Sequence, residues 1–308
     1  MLAKQTMTVG GKVLKFDLAF APDTIDKYTQ LIKDGQWELE PPALAALDLL
    51  NDGDHFVDLG ACLGTFSIPV MLATGAAATL VEALPSNSRI LIESLTANGL
   101  DSRARVINKA ITAEGGTVKM INDNAFGTVV DDSTADTIEL PALTLEDLAT
   151  ELKDVTTPSL IKMDIEGCEH SVMRTFKDYS DVHGFPIVIF EANLAHCLRV
   201  NETHSALLKL FADLDYNLFM IKRNIVLERS WDSFQEFGLA DYVAVPKNDT
   251  ERLAILRSKA TPELPFRQRL KAVEFTLTQM LPGYKNYMRW QLDNLDNEYR
   301  DYIDSDQR

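Results

Sequence analysis

Apolar and polar positions along the 308-residue chain switch between a period of two and a period of about 3.6, and each switch marks an element. Residues 7–20 alternate around Val9-Gly10-Gly11-Lys12, which predicts a β-hairpin on a Gly-Gly turn. Residues 23–35 read as a helix, and Pro41 with Pro42 suits the entry of another over 43–50. Short apolar runs of strand length then alternate with helical text: strands over 55–59, 78–82 and 105–108, with helices from Gly64 to about 74 and over 86–98. Strand and helix at this spacing predict parallel pairing through right-handed crossovers. Residues 117–121 and 137–140 break the alternation and read as paired strands around a polar loop, 122–136, which is either a substrate loop or plain solvent-facing chain. A helix over 144–153, a strand over 160–164, a helix over 168–176, a strand over 186–191, a helix over 202–213 and strands over 217–221 and 242–245 complete the pattern. The predicted class is α/β: a doubly wound, mostly parallel sheet. After Pro246 the text becomes amphipathic and helical, over 253–259, 266–280 and 284–303. The expected organisation is therefore an N-terminal hairpin and helix (1–42), a central domain (43–246) and a C-terminal helical extension (247–308). The extension's apolar residues need cover, either from the core or from a second copy in a homodimer.

Composition adds limits rather than detail. An apolar fraction of 46% and a charged fraction of 25% are those of an ordinary globular chain. The formal net charge of -16 repels phosphate backbones and anionic lipid, which disfavours nucleic-acid and membrane partners. The three cysteines, Cys62, Cys168 and Cys197, form no CxxC pair, so a reducing cytoplasm fits better than a disulfide framework. The N-terminus lacks the apolar core of a signal peptide, and the most apolar run, 69–84, is interrupted by polar residues.

Chemistry concentrates where predicted strands end. Asp58, Glu82, Asp164 and Glu191 each stand at or near such an end, and in an open α/β sheet ligands bind outside the carboxyl ends of the strands. The run Phe56-Val57-Asp58-Leu59-Gly60-Ala61-Cys62-Leu63-Gly64-Thr65-Phe66 is a strand opening into a glycine-spaced turn before a helix, a setting for close approach of a ligand to the backbone. Glu82 lies 22 residues beyond Gly60, the distance at which an acid takes a ribose diol. The turn is not G-x-G-x-x-G, because alanine stands at position 61. A nucleoside ligand without pyrophosphate, such as S-adenosylmethionine, suits it better than a nicotinamide dinucleotide. Glu40, just ahead of the prolines, either faces this cradle or complements its helix dipole.

From about residue 40 to 191 the sequence resembles the FkbM-type family of S-adenosylmethionine-dependent methyltransferases, of the class I, Rossmann-like fold. The resemblance rests on Glu40-Pro41, the turn Asp58 to Gly64, Val81-Glu82-Ala83-Leu84-Pro85, Asn98-Gly99-Leu100 and Asn108-Lys109-Ala110-Ile111. Most specific is Lys162-Met163-Asp164-Ile165-Glu166-Gly167-Cys168-Glu169, similar to the signature K-x-D-[IV]-E-G-x-E. The resemblance implies that Gly60, Ala61 and Gly64 hold the methionine part of the cofactor, that Asp58 orders the turn or meets the amino group, and that Glu82 takes the ribose hydroxyls. It places Asn108 to Ala110 beside the adenine, and Glu40, Thr65, Phe66, Ala83 and Asp164 complete the expected cofactor-binding set. Cys62 departs from the pattern, where Asn is common.

Family members are commonly O-methyltransferases of small natural products or sugars, so the implied acceptor is a small molecule or sugar hydroxyl. Its proton must leave, by a carboxylate base or through a metal-bound alkoxide. Asp164 is the first candidate base, with Glu191, Glu166 and Glu169 behind it, and Asp164 with Glu191 would be the pair to hold Mg²⁺. For Glu166 and Glu169 the plainer reading is complementing a helix N-terminus. His196 and His204 could reach a substrate, whereas His170 and His183 read as superficial; Trp231, Phe234 and Phe237 read as core packing more readily than as pocket lining. A nicotinamide-dependent oxidoreductase and a non-catalytic methyltransferase-like binding domain are the competing readings.

Overall fold

The computed structural model describes residues 1–9, 11–23, 26–123, 126–129, 137–152, 158–199, 202–222, 225–233, 237–261, 270, 271 and 273. The chain divides into two compact units, Met1–Ser233 with Ala240–Pro262, and Phe234–Leu239 with Glu263–Arg308. The predicted helices over 266–280 and 284–303 fall almost wholly outside the described residues, as does Phe234.

The first unit is built on an eight-stranded sheet. Its strands are β3 (His55–Leu59), β4 (Ala77–Val81), β5 (Ala104–Ile107), β10 (Leu160–Met163), β11 (Ile187–Asn193), β12 (Tyr216–Lys222), β13 (Ile225–Arg229) and β14 (Leu239–Pro246), in the spatial order β13-β12-β14-β11-β10-β3-β4-β5. The run β11-β10-β3-β4-β5 is parallel throughout, and the order reverses between β3 and β10, where the chain leaves one half of the sheet for the other. β12 runs antiparallel to both β14 and β13. The α/β, doubly wound expectation is met. β10 and β4 are buried along nearly their whole length, as strands covered on both faces must be.

Helices α2 (Pro41–Leu49), α3 (Ser67–Thr74), α4 (Pro85–Ala97), α5 (Leu145–Glu151), α6 (Glu169–His183) and α8 (His204–Asp213) lie near their predicted places. α6 runs past the predicted end at 176, because Tyr179 and Ser180 continue the buried stripe of Val172, Met173 and Phe176 until Gly184. The short helix α7 (Leu194–Arg199) and the strand β13 have no strong period of their own and are absent from the prediction.

The N-terminal hairpin begins earlier than its alternation suggested. β1 (Leu2–Val9) pairs with β2 (Lys12–Ala19) from Leu2 opposite Ala19 onward. It is stitched to α4: Ser94 Oγ accepts from the Ala19 N–H at 2.8 Å, and Asn98 both accepts from the Asp17 N–H and donates to its carbonyl. Helix α1 (Lys27–Lys33) follows, capped by Asp26. At the other end, α9 (Thr250–Lys259), expected to open the C-terminal extension, buries Leu253 and Leu256 in the same core as α2 and β14.

A second sheet has the order β6-β9-β7-β8, from β6 (Ala110–Ile111), β7 (Gly116–Asp123), β8 (Phe126–Val129) and β9 (Thr137–Leu143). β7 and β9 are the strands predicted around the polar loop; β8 lies inside that loop and was not predicted, and residues 124, 125 and 130–136 are outside the described set. No helix among the described residues is long and apolar enough to cross a membrane.

Candidate active site

At the strand-order reversal, parallel pairing places Lys162 of β10 directly beside Asp58 of β3, so both side chains leave the sheet on one face. Asp58 is fully buried. Its Oδ2 accepts a short hydrogen bond from Ser67 at the start of α3, and its Oδ1 lies 3.3 Å from the Lys162 ammonium. Asp58 thereby ties the start of α3 to β10 behind the turn.

The turn after β3 is held from both sides. The Gly60 and Ala61 N–H groups donate to the Val81 carbonyl at 2.9 and 3.0 Å, and the Gly60 carbonyl accepts from Lys162 Nζ at 3.0 Å. Gly60 has φ +82°, and a Cβ there would sit 1.9 Å from the Asp164 carbonyl oxygen. The turn and the strand end after β10 are thus in backbone contact, a hundred residues apart in sequence. At Gly64, φ +85°, a Cβ would press on Ile68 and Leu91. Cys62 also takes a positive φ, of 49°, tolerated because its N–H donates to Glu82 Oε2 at 2.8 Å.

Glu82 follows β4 and is buried. Its other oxygen accepts from the Leu84 N–H at 2.8 Å, so the carboxyl bridges the turn and the entry of α4 and keeps one lone pair on each oxygen for a further donor. Burial raises its pKa, against the two backbone N–H groups that lower it. The Asn108 amide donates to the Glu82 and Ala83 carbonyls at 2.8 and 2.9 Å, fixing the segment beside Glu82. Ala110 is different: its methyl is buried with Leu84, Met120, Leu140 and Ala142 in the core of the second sheet. Thr65 is buried and shares a short hydrogen bond with the Tyr28 hydroxyl of α1, while the Phe66 ring lies edge-on to Phe56 with the Lys162 ammonium 5.9 Å from its centre.

Across from this wall stands a group of acids. Asp164 Oδ2 is 3.4 Å from Lys162, and its side chain is 42% exposed, the one carboxyl of the Lys162 group open to solvent. Glu40 is the N-cap of α2 but makes no side-chain capping bond; burial, and then Asp164, raise its pKa. Burial and then Asp164 also push Glu191 up to about 8 and Asp241, near the start of β14, up to about 7. Glu191 is therefore largely a neutral acid at pH 7, able to donate, and a weak metal ligand in that form. Among the described residues no three His, Cys, Asp or Glu side chains converge as a metal site.

Sequence reading passed over three of these residues. Lys162 was visible only as a letter of the signature. Asp241 lies in a strand with no motif, and Tyr28 lies in the N-terminal helix far from the turn in sequence. Only Lys162 had a signal, an ammonium inside a run otherwise apolar, which demands a buried partner. Glu169 takes the plainer of its two expected roles: its oxygens accept from the Ile165 and Gly167 N–H groups at 2.9 and 3.0 Å. Glu166 lies 3.8 Å from His196, against which a Cβ added at Gly167 would pack at 3.6 Å. His170 is buried, not superficial, because α6 turns it under Glu202. His204 is buried too, whereas Trp231 is 37% exposed with Lys209 over its ring and is not core.

The family profile described as "Methyltransferase FkbM domain" matches residues 58–218, more than half of the chain. A comparison with curated proteins finds no match. Among solved structures, precorrin-6Y C5,15-methyltransferase from Geobacter metallireducens GS-15 is 11% identical, with 74% of this chain and 94% of that one covered at a TM-score of 0.40. The P. horikoshii TYW2 in complex with MeSAdo is 12% identical, with 79% and 70% covered and a TM-score of 0.39. The T. thermophilus 16S rRNA N2 G1207 methyltransferase RsmC, in complex with AdoMet and guanosine, is 12% identical, with 80% and 51% covered and a TM-score of 0.39. At such identities and scores none of them bears on which atom this chain modifies.

Proposed function

The chain belongs to the FkbM methyltransferase family, and on that premise we propose that it moves a methyl group from S-adenosylmethionine to a hydroxyl of a small-molecule or sugar acceptor. The family match displaces the nicotinamide alternative. The observation that carries the reading is the meeting of the glycine turn, Asp58 and Asp164 around one buried ammonium, with Glu82 tied to the same turn through the Cys62 N–H. The residues present suit the cofactor. Glu82 has two oxygens with spare lone pairs for a ribose diol, and the turn beside it is pinned to Val81 through the Gly60 and Ala61 N–H groups. Asn108 and Ala83 border Glu82 on the side proposed for the adenine, Thr65 and Phe66 continue the turn, and Glu40 faces it. Ala110 would act only through the position of its backbone, since its methyl is spent in the second core.

The bound cofactor supplies an already activated sulfonium methyl. The protein's own tasks are then alignment, exclusion of water and removal of one proton. Asp164, half-exposed and paired to Lys162, is the proposed base for the acceptor hydroxyl. Glu191, protonated at neutral pH, would donate a hydrogen bond to the acceptor instead of taking its proton. A Mg²⁺ ion would be held by Asp164 and Glu191, with Glu191 giving up its proton as the ion binds. The acidic balance of the chain supports a small acceptor over a nucleic acid, and its cysteines suit a reducing cytoplasm.

Calorimetry with S-adenosylhomocysteine and with NAD⁺ is the direct test; NAD⁺ binding with no S-adenosylhomocysteine signal would sink the reading. Incubating the enzyme with labelled cofactor and a pool of hydroxylated metabolites, with mass spectrometry of the products, identifies the acceptor. On that acceptor, Asp164→Asn is expected to cut kcat by about 10²–10⁴ with an unchanged melting temperature. Full activity of the variant would clear Asp164 of the role, and undiminished turnover in EDTA would remove the ion.

A further inference from the structure

Lys162 is buried, and its three N–H protons face three acceptors on three different segments: Asp58 in β3 at 3.3 Å, the Gly60 carbonyl in the turn at 3.0 Å, and Asp164 beyond β10 at 3.4 Å. Asp58, the fully buried carboxyl, suffices to balance the charge of Lys162, while the remaining donors go to two groups that line the crevice. The contact to a backbone carbonyl of the turn neutralises nothing, and the contact to Asp164 reaches a carboxyl that water already solvates in part. What these two contacts share is that each sets the position of a group lining the crevice. Gly60 and Asp164 already touch through their backbones, with no room for a Cβ between them. Any shift of the turn must therefore shift Asp164.

The geometry points to Lys162 as a positioning residue that couples the cofactor turn to Asp164: one ammonium fixes the Gly60 carbonyl and the Asp164 carboxylate together, so that filling the turn orders the base. This rests on the methyltransferase reading above. A lysine suits the task better than an arginine, because a compact ammonium on a flexible stem can direct three donors to three corners, whereas a planar guanidinium cannot.

The test is S-adenosylhomocysteine affinity by calorimetry beside melting temperature, on full-length protein. Lys162→Met is expected to weaken binding about tenfold or more. Because it also strands Asp58, it is paired with Asp58→Asn/Lys162→Met, which removes the buried charge and is expected to recover melting temperature but not affinity. Wild-type affinity in either folded variant would reduce Lys162 to a charge balance for Asp58 and overturn the inference. Lys162→Arg, which retains the cation, is expected to keep the melting temperature and lose about threefold or more in affinity; full affinity there would show that any cation suffices. Coupling is read from Asp164→Asn, whose effect on affinity in the wild-type background should vanish in the Lys162→Met or Lys162→Arg background. Independent, multiplying losses would overturn the coupling. Absence of binding by the wild type would instead sink the methyltransferase reading itself, and so the two failures are distinct.

Discussion

The two walls of the crevice are made of the same residue type, raised in pKa by burial on both sides, but with different partners. On the β3–β4 side, Asp58 and Glu82 take donors from the protein itself: Ser67 and the Lys162 ion pair for Asp58, two backbone N–H groups for Glu82. On the β10–β11–β14 side, Asp164, Glu191 and Asp241 face one another and Glu40, with Lys162 and Lys222 as the cations that lower Asp241. Carboxyls that already have donors from the backbone and neighbouring side chains are fixed in position, suited to hold a ligand in one place. Carboxyls crowded together share protons, and shared protons are what a transfer reaction needs. The difference arises from the backbone. The first wall borders a turn whose N–H groups point at Glu82, whereas the N–H groups of the turn after β10 go to Glu169 rather than to Asp164 or Glu191.

Gly60→Ala attacks the seam between the walls, and it is the largest effect expected. The new Cβ meets a backbone carbonyl at 1.9 Å, which no side-chain rotation can relieve, at a φ of +82° that alanine disfavours. A loss of about 3 kcal/mol or more in denaturant unfolding is expected, together with loss of S-adenosylhomocysteine binding. An alanine variant of wild-type stability would mean that the walls are not in contact at this point.

Glu82→Ala tests the fixed wall alone. A binding loss of roughly 2 kcal/mol is expected, the scale of hydrogen bonds to a charged acceptor. Unchanged affinity in calorimetry would remove Glu82 from the ribose role.

Glu191→Gln tests the proton-sharing wall. Its carboxyl is held well above its usual range, up to about 8, so the folded state binds a proton that the unfolded state releases near pH 4.5. Stability from this group is therefore full at about pH 4 and is lost as pH rises toward 8. Glutamine mimics the neutral form at every pH. The variant should match wild type in melting at pH 5 and exceed it at pH 9, by on the order of 1–2 kcal/mol once solvent screening is allowed for. Parallel stability curves for the two proteins from pH 5 to 9 would place Glu191 among ordinary carboxylates.

The two walls also differ in how far they could be read from sequence. The turn, Glu82 and Asp164 carry spacing and signature, because glycines at positive φ and an acid at a fixed distance are local requirements that leave a local trace. Asp241 carries none: its place beside Asp164 comes from β14 entering the sheet between β12 and β11, a choice of topology rather than of neighbouring residues. The small elements β6, β8, β13 and α7 escaped for a related reason, being too short to show a period and held by partners from elsewhere. His170 was misjudged because one helical residue's face depends on where its helix ends, and α6 runs a further seven residues, from 176 to 183.

Tyr28 is the finest test of how far the fixed wall extends. It comes from α1, outside the central sheet, and its hydroxyl meets Thr65 beside the glycine turn. Burial, followed by the nearby Cys62 and Glu40, raises its pKa well above the ordinary tyrosine value, so the phenol stays neutral and serves only as a hydrogen-bonding strut. Tyr28→Phe keeps the ring and deletes the strut, which leaves Thr65 one partner short. If α1 braces the turn, S-adenosylhomocysteine affinity should fall by about 1 kcal/mol with a similar or smaller loss of stability. A stability loss with no change in affinity would confine α1 to packing, and the wall that holds the ligand would then begin at β3.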